Sequence, residues 1–456
     1  MNLGERLRGV VRPGRSAQPD ALRVPHPNAA PALWTLRGRD AEEAGYEPWD
    51  RANANCAAEV LGGEWRESRG HRYVAVDRRY PVGHRLGRVS VGDCLPAEDG
   101  FWPRLSLLMA DAADSVAARG RMLFVDLETT GLAGGAGTYA FLVGFGWFED
   151  AAFRVRQFLL TSYAVERVLL EEVAVLAAQA GALVTYNGKT FDLPLLETRF
   201  LFHRMSVPFS AVPHLDMLHH ARRLWRPLAA CESREQGEGR SEATCRLSAV
   251  EEAVLGHVRE DDVPGFEVPS RYFHYVRTGD ARPLGAVFEH NRLDLLALAM
   301  LAATAATLLE EGPDASRTAH EALGLGRLYE RGGMTEEARA CFTRAVRLGG
   351  SPMTQAEALR AYAVSCRRAR QFDTAADAWQ GILALRGCPP HITKDATEAL
   401  AVHHEHRLRD FHTARLFAMH SLQLTLNAAR REAAQHRVAR LDRKLTPRTD
   451  PAPLFP

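Results

Sequence analysis

The chain has 456 residues, of which 46% are hydrophobic and 25% are charged. These values are ordinary for a globular protein, and the length predicts about two to four domains. The net charge of +1 excludes attraction of nucleic acid by overall charge, so any such affinity must come from local patches.

Cysteine usage and hydropathy exclude further classes. The seven cysteines contain no CxxC pair, so neither a zinc site nor a disulfide framework is indicated. The start of the chain has no apolar signal segment. The longest apolar run, Leu295 to Leu309, is shorter than the roughly 20 residues that span a bilayer. We therefore expect a cytoplasmic protein without a membrane partner.

In chain order, the composition predicts four segments. Residues 1–33 are rich in Pro, Arg, Gly and Ala without periodicity, which predicts a disordered lead. A small accessory region follows at 34–118, an α/β domain at 119–311 and a set of helical repeats at 317–445.

The α/β domain has a readable order of elements. Three strands in a meander are followed by alternating helices and strands, which predicts a mixed five-stranded sheet with flanking helices, as in a ribonuclease-H-like fold. The predicted strands are 122–125, 139–148, 153–160, 183–186 and 214–218, and the predicted helices between them are 166–180 and 193–204. A doubly wound dinucleotide fold is the alternative. Its GxGxxG fingerprint does not fit the glycines from Gly131 to Gly137, and a strand follows where a helix should.

The C-terminal helices contain a repeat. Similar segments end at Ala338, Ala375 and Ala414, at intervals of 37 and 39 residues. Small and aromatic residues in the first unit, among them Gly326 and Phe342, stand where a tetratricopeptide unit places its packing residues. About three units are the minimum for a stable stack. The segment 317–445 is thus predicted to be an all-α, tetratricopeptide-like domain.

The sharpest chemical motif follows the first strand of the α/β domain. Asp126 and Glu128 are two residues apart, so in a strand they point to the same face. Two adjacent carboxylates repel each other unless a cation neutralises them, and hard oxygen ligands suit Mg²⁺ or Mn²⁺. The alternative is an ordinary turn at the end of a strand, since Asp, Thr and Gly favour turns.

Two further acidic motifs lie later in the domain. Asp192 follows the fourth strand in Asn187-Gly188-Lys189-Thr190-Phe191-Asp192, where an N-cap of the next helix is the alternative. A phosphate loop is rejected for this segment, because that motif needs a glycine at Leu183. Asp294 stands on an apolar helix four residues after His290, so the two share a face. A plain helical His–Asp pair is the alternative there.

Together the three motifs resemble those of the DEDD exonucleases, and most closely those of the bacterial YprB-like branch. The chain shows DLETTGL, then NGKTFDLPLL, then HNRLD. The resemblance covers residues 120–310, and the repeats are similar to those of that branch. It implies a 3′–5′ exonuclease in which Asp126, Glu128, Asp192 and Asp294 hold two divalent ions, Mg²⁺ or Mn²⁺.

The resemblance also implies roles around the acids. Glu128 or His290 would orient and deprotonate the attacking water. Thr129 and Thr130 would meet the terminal nucleotide, Asn187 would bond the nucleic-acid chain and Lys189 would contact a phosphate. His290-x-x-x-Asp294 departs from the usual tyrosine at this spacing, which leaves the base assignment open. Asp216 is a reserve acid, with a structural role at a strand end as the alternative.

These motifs predict an enzyme that hydrolyses single-stranded DNA or RNA from an end. The alternative function is a nucleic-acid-binding scaffold with little or no nuclease activity, in which the helical repeats recruit a protein partner.

Overall fold

The computed structural model describes residues 57–97, 101–109, 120–131, 137–226, 245–425 and 427–446. All of these residues belong to one compact unit that covers residues 51–456. The predicted lead at 1–33 lies outside the described residues.

A mixed sheet forms the centre of the molecule. Its strands are β1 (Glu64–Ser68), β2 (His71–Pro81), β5 (Arg121–Thr129), β6 (Ala140–Glu149), β7 (Ala152–Leu159), β8 (Ala180–Thr185) and β9 (His214–Asp216). They are arranged in the order β1-β2-β7-β6-β5-β8-β9. Only β5, β8 and β9 run parallel to one another, and the other neighbours are antiparallel. A separate two-stranded ribbon joins β3 (Arg85–Leu86) to β4 (Val89–Ser90).

The prediction of five strands is wrong, because this sheet has seven. The five predicted strands are all present, as β5 to β9. The other two, β1 and β2, come from the predicted accessory region at 34–118. Strand β2 pairs with β7 from Val74↔Leu159 to Pro81↔Ala152, so the hairpin β1–β2 covers what would otherwise be a long exposed sheet edge.

Helices cover both faces of the sheet. They are α1 (Glu166–Ala177), α2 (Asp192–Phe202), α3 (Met217–Leu224), α4 (Leu247–Leu255), α5 (Val268–Thr278) and α6 (Leu284–Glu311). Strand β5 shows the two layers directly. Leu123 and Val125 lie in the core under α1 and α2, whereas Met122 and Phe124 lie in the core formed with α3 and α6.

Helix α6 is the long apolar helix of this domain. By length and composition alone it could cross a membrane, but 72% of its most apolar stretch is buried inside the protein. Residues from Leu295 to Leu309 pack in one core with Phe124 and Val184 of the sheet. The helix therefore acts as a core element, and its start carries the third acidic motif.

The C-terminal region is helical throughout its described part. Its helices are α7 (Ala319–Arg331), α8 (Thr335–Leu348), α9 (Pro352–Arg368), α10 (Phe372–Ala384), α11 (Pro390–His403), α12 (Phe411–Gln423) and α13 (Ala428–Leu445). A side chain at Gly326 would meet Phe342 at 2.5 Å, so glycine is what lets α7 and α8 pack closely. The assignment of these helices to tetratricopeptide-like repeats stays a prediction.

The helical region shares its core with the α/β domain. Trp225, which follows α3, is fully buried and donates its indole N–H to Glu321 of α7 at 3.0 Å. A side chain at Gly324 of α7 would come within 2.4 Å of the carbonyl oxygen of Arg223. These contacts fix α7 against the end of α3.

Candidate active site

The first two acids stand at the end of the central strand. Strand β5 lies between β6 and β8, and its pairing with β6 shifts register between Glu128 and Thr129. Leu127 points into the core under α1 and α2. Since side chains alternate along a strand, Asp126 and Glu128 both point to the other face, toward α6.

Asp126 is held from α6 by a buried amide. Asn291 donates to the Asp126 carboxylate at 2.7 Å and to the Asp126 carbonyl at 3.1 Å. The Asn291 oxygen in turn accepts from Gln157 of β7 at 2.9 Å, and both amide side chains are fully buried. Gly144, which pairs with Asp126 across the sheet, leaves the space that the Asn291 amide occupies.

Asp192 enters the site from the loop after β8. It is the first residue of α2, and none of the described side chains caps that helix, so the N-cap alternative does not describe it. The loop itself is fixed by Asp216. The Asp216 carboxylate accepts from the backbone N–H groups of Asn187 at 2.8 Å, Lys189 at 3.1 Å and Leu218 at 3.1 Å. Asp216 thus has the structural role, as N-cap of α3 and anchor of the second motif.

Asp294 is surrounded by positive charge. Arg259 donates to Asp294 at 2.5 Å and to the fully buried Glu251 at 2.7 Å, and only 5% of the Arg259 side chain is exposed. His290 lies one helical turn before Asp294, with 3.7 Å between Nε2 and the carboxylate. The other ring nitrogen of His290 lies 2.5 Å from Asp262. A buried arginine and a histidine therefore balance Asp294 in this conformation.

The four carboxylates are close enough to perturb one another. Burial, followed by the charges of Asp294, Glu128 and Asp192, raises the pKa of Asp126 well above its usual value. Burial and the charges of Asp294 and Asp192 do the same to the pKa of Glu128. Burial and Asp216 raise the pKa of Asp192 to about 7. The site thus gathers more negative charge than its neighbours neutralise.

His290 is perturbed in the opposite sense. Burial lowers its pKa, but the hydrogen bond to Asp262 and the charge of Asp294 outweigh burial and raise the pKa to about 9. In the conformation described, His290 therefore carries its proton near neutral pH and acts as a hydrogen-bond donor.

The chemistry of the donor set fits a divalent cation. Partly buried carboxylates that repel one another are what Mg²⁺ or Mn²⁺ stabilises. Within the described ranges, however, no three His, Cys, Asp or Glu side chains stand in ligand geometry around one point. The number of ions stays a prediction.

The residues predicted to bind nucleic acid border the acids. Thr129 and Thr130 close the end of β5, and the Thr130 hydroxyl accepts from the backbone of Tyr139 at 3.0 Å. Asn187 takes up a left-handed conformation (φ 68°), which asparagine tolerates better than most residues. Lys189 is exposed. Their contacts with a nucleic acid stay predictions.

Several residues of the site were not found from the sequence. Asn291 lies inside the third motif, but an asparagine on a helix does not by itself indicate that it contacts an acid on another element. Gln157 carried a weak signal, since it is an amide in an apolar strand that must be bonded if buried. Arg259 and Asp262 come from a loop that is distant in sequence, and no spacing rule connects them to Asp294.

The fold and the site together define an α/β domain with carboxylates gathered at the end of its central strand. Residues 123–306 match the profile of the RNase_H superfamily, which supports a ribonuclease-H-like domain in this part of the chain and suggests a nucleic-acid hydrolase. The chain is also similar to the uncharacterized protein YprB of Bacillus subtilis (strain 168). The two are 29% identical over 372 residues, which cover 80% of this chain and 84% of that protein.

Proposed function

We propose that the protein is a metal-dependent exonuclease that removes nucleotides from single-stranded ends, in the 3′ to 5′ direction. One observation carries the proposal. Asp126, Glu128, Asp192 and Asp294 come from three distant segments, and burial together with their mutual repulsion raises pKa values in the cluster. A cluster of this kind costs stability unless it serves a cation.

The same four carboxylates would hold two ions of Mg²⁺ or Mn²⁺. When bound, such ions polarise a phosphodiester and lower the pKa of the attacking water. The residues of the chain hold the ligands in place. Asn291 fixes the orientation of Asp126, and the Glu251–Arg259 pair fixes Asp294. Supporting residues of this kind tune metal sites in general.

The remaining residues would position the substrate. Thr129 and Thr130, at the end of β5, would contact the terminal nucleotide. Asn187 would bond the strand, and Lys189 would contact a phosphate. Glu128 and His290 are the two candidates for orienting the attacking water, and the bond between His290 and Asp262 fixes the ring for that task.

Direction and polymer are tested with labelled oligonucleotides of DNA and of RNA. A strand labelled at its 5′ end should give a ladder of shortening products with Mg²⁺ or Mn²⁺, and a blocked 3′ end should stop the reaction. Release of the 5′ label as a mononucleotide at the earliest times would contradict the direction. Cleavage of a circular strand would contradict an exonuclease.

The alternative function, a nucleic-acid-binding scaffold, depends on the helical region. In that case the repeats would recruit a protein partner and the acids would not cleave. Binding of a strand by the folded protein, without hydrolysis under any divalent metal, would favour it. A cytoplasmic location belongs to both proposals.

A further inference from the structure

A basic cleft lies between the ribonuclease-H-like domain and the helical region. It encloses about 620 Å³. Its walls come from the end of β9, from α3 and from the facing helices α7 and α9. The cationic and histidine side chains that line it are Lys189, His214, His219, His220, Arg222, Arg223, Arg226, His320, Arg327 and Arg331.

The charge of this basic cleft is largely unneutralised. Of its six lysine and arginine side chains, only Arg327 has a carboxylate within ion-pair distance among the described residues, namely Glu357 at 2.9 Å. Burial, followed by the charges of Arg331 and Arg327, lowers the pKa of Arg223. The two acids of the lining, Asp216 and Glu357, are fewer than the six lysine and arginine side chains, so the cations repel one another and a bound anion would relieve that repulsion.

Buried residues hold the two walls of the basic cleft in place. His220 is 5% exposed, and its buried Nδ1 has no hydrogen-bond partner in the described part of the chain. The bond from Trp225 to Glu321 and the close approach of Gly324 to Arg223 hold the two walls at a fixed spacing. A preformed cavity lined by cationic side chains is suited to binding an anion.

The basic cleft begins where the acidic cluster ends. Asp216 lines it and accepts the backbone N–H groups of Asn187 and Lys189, in the loop that carries Asp192. A chain whose end lies at the acids would therefore enter this cavity next.

We propose that the basic cleft binds the sugar–phosphate backbone of a single nucleic-acid strand, a few nucleotides from the end that is cleaved. Arginines on α3 and α7 contact successive phosphates, so the helical region forms part of the substrate path. The cavity has the volume of a small-ligand pocket, which suits a single strand better than a duplex. The direction of the strand rests on the proposed function, whereas binding itself does not.

The test measures binding without hydrolysis. Fluorescence anisotropy of a labelled single strand is followed in chelator, from about 50 to 200 mM salt, with the full chain. The association constant falls as salt is added, and each lost phosphate contact makes the plot of its logarithm against log salt less steep by about 0.7 for a single strand. The double variant Arg222→Gln/Arg327→Gln should bind more weakly than the wild type at about 50 mM salt. Between about 50 and 200 mM salt, the ratio of wild-type to variant affinity should fall about sevenfold.

Controls separate the cleft from general charge. Arg277→Gln/Arg347→Gln removes the same charge from exposed arginines outside the cleft, and its salt slope should match that of the wild type. Lys189→Gln changes an exposed cleft residue and should make the salt dependence less steep by about 0.7. Because this position is exposed, the variant should fold even if the double variant does not.

The outcomes distinguish the two proposals. If the cleft variants keep the wild-type slope, or if a duplex shows the same losses as a single strand, the cleft proposal is wrong even when the enzyme cleaves. If the slopes fall as expected but no metal supports hydrolysis, the cleft proposal holds and the proposed exonuclease is wrong.

Discussion

Gly144→Ala should disable the site through the amide that holds Asp126. A methyl group at position 144 would lie 2.2 Å from the oxygen of Asn291 and 2.9 Å from its nitrogen. The neighbouring atoms belong to a fully buried side chain that is bonded on both sides, to Asp126 and to Gln157. The amide must therefore move, and the bond to the Asp126 carboxylate breaks.

Two contributions set the size of the effect. Overpacking of a core costs about 1–3 kcal/mol, and loss of a hydrogen bond to a charged group costs about 1.5–3 kcal/mol. Together they should lower the free energy of unfolding by about 2.5–6 kcal/mol. Because Asn291 orients a proposed ligand, affinity for Mn²⁺ should also fall by about 10- to 100-fold.

Urea unfolding and Mn²⁺ titration measure these effects. Gly285→Ala is the matched control, since nothing lies within 4 Å of the added methyl group on α6. Adding Asn291→Ala to Gly144→Ala removes the collision. The double variant should therefore lose less unfolding free energy than the two single variants together, by about 0.5–3 kcal/mol. A Gly144→Ala protein as stable as the control would refute the reasoning.

Two further changes test buried charges. Arg259→Met leaves the fully buried Glu251 without its main partner and should cost about 3–5 kcal/mol in urea unfolding, whereas Arg167→Met on an exposed pair should cost less than about 1 kcal/mol. In the helical region, burial raises the pKa of Glu405, but bonds from Arg440 and Lys444 lower it to about 2. Because this lies below the unfolded value, the stabilisation is present above pH of about 5 and is lost as the pH falls toward 2. In Glu405→Gln, the free energy of unfolding should therefore depend less on pH over that window than it does in the wild type.

The contradicting results are equally specific. Equal costs for Arg259→Met and Arg167→Met would mean that the buried pair is not structural. A Glu405→Gln protein that loses stability with acid as steeply as the wild type would show that another group causes the acid sensitivity.

The positions of the acids on their strands and helices could be predicted because each motif is local, whereas their role as ligands stays a prediction. An apolar strand ending in Asp126-x-Glu128 places two carboxylates on one face by the alternation of side chains alone. Likewise, His290 and Asp294 share a helical face by their spacing. The order of elements around them was enough to predict five strands that the structure contains.

The remaining features depend on contacts between distant segments. Strand β2 joins β7 through backbone bonds, which any strand-like run can make, so the sequence could not assign it to this sheet. Arg259 reaches Asp294 across 35 residues, and Asn291 is specified by the space over Gly144. Such residues become visible only when the fold has placed them.

We propose that the four carboxylates hold a divalent metal with which the protein hydrolyses nucleic acid. The direct measurement is digestion of end-labelled single-stranded DNA and RNA by wild type and Asp126→Ala, with Mg²⁺ or Mn²⁺ and with chelator, after unfolding curves have shown both proteins to be folded. We expect the wild type to trim the strand only when the metal is present, and we expect this trimming to disappear in the variant. Equal trimming by Asp126→Ala, or no trimming of either polymer by the folded wild type, would contradict this proposal.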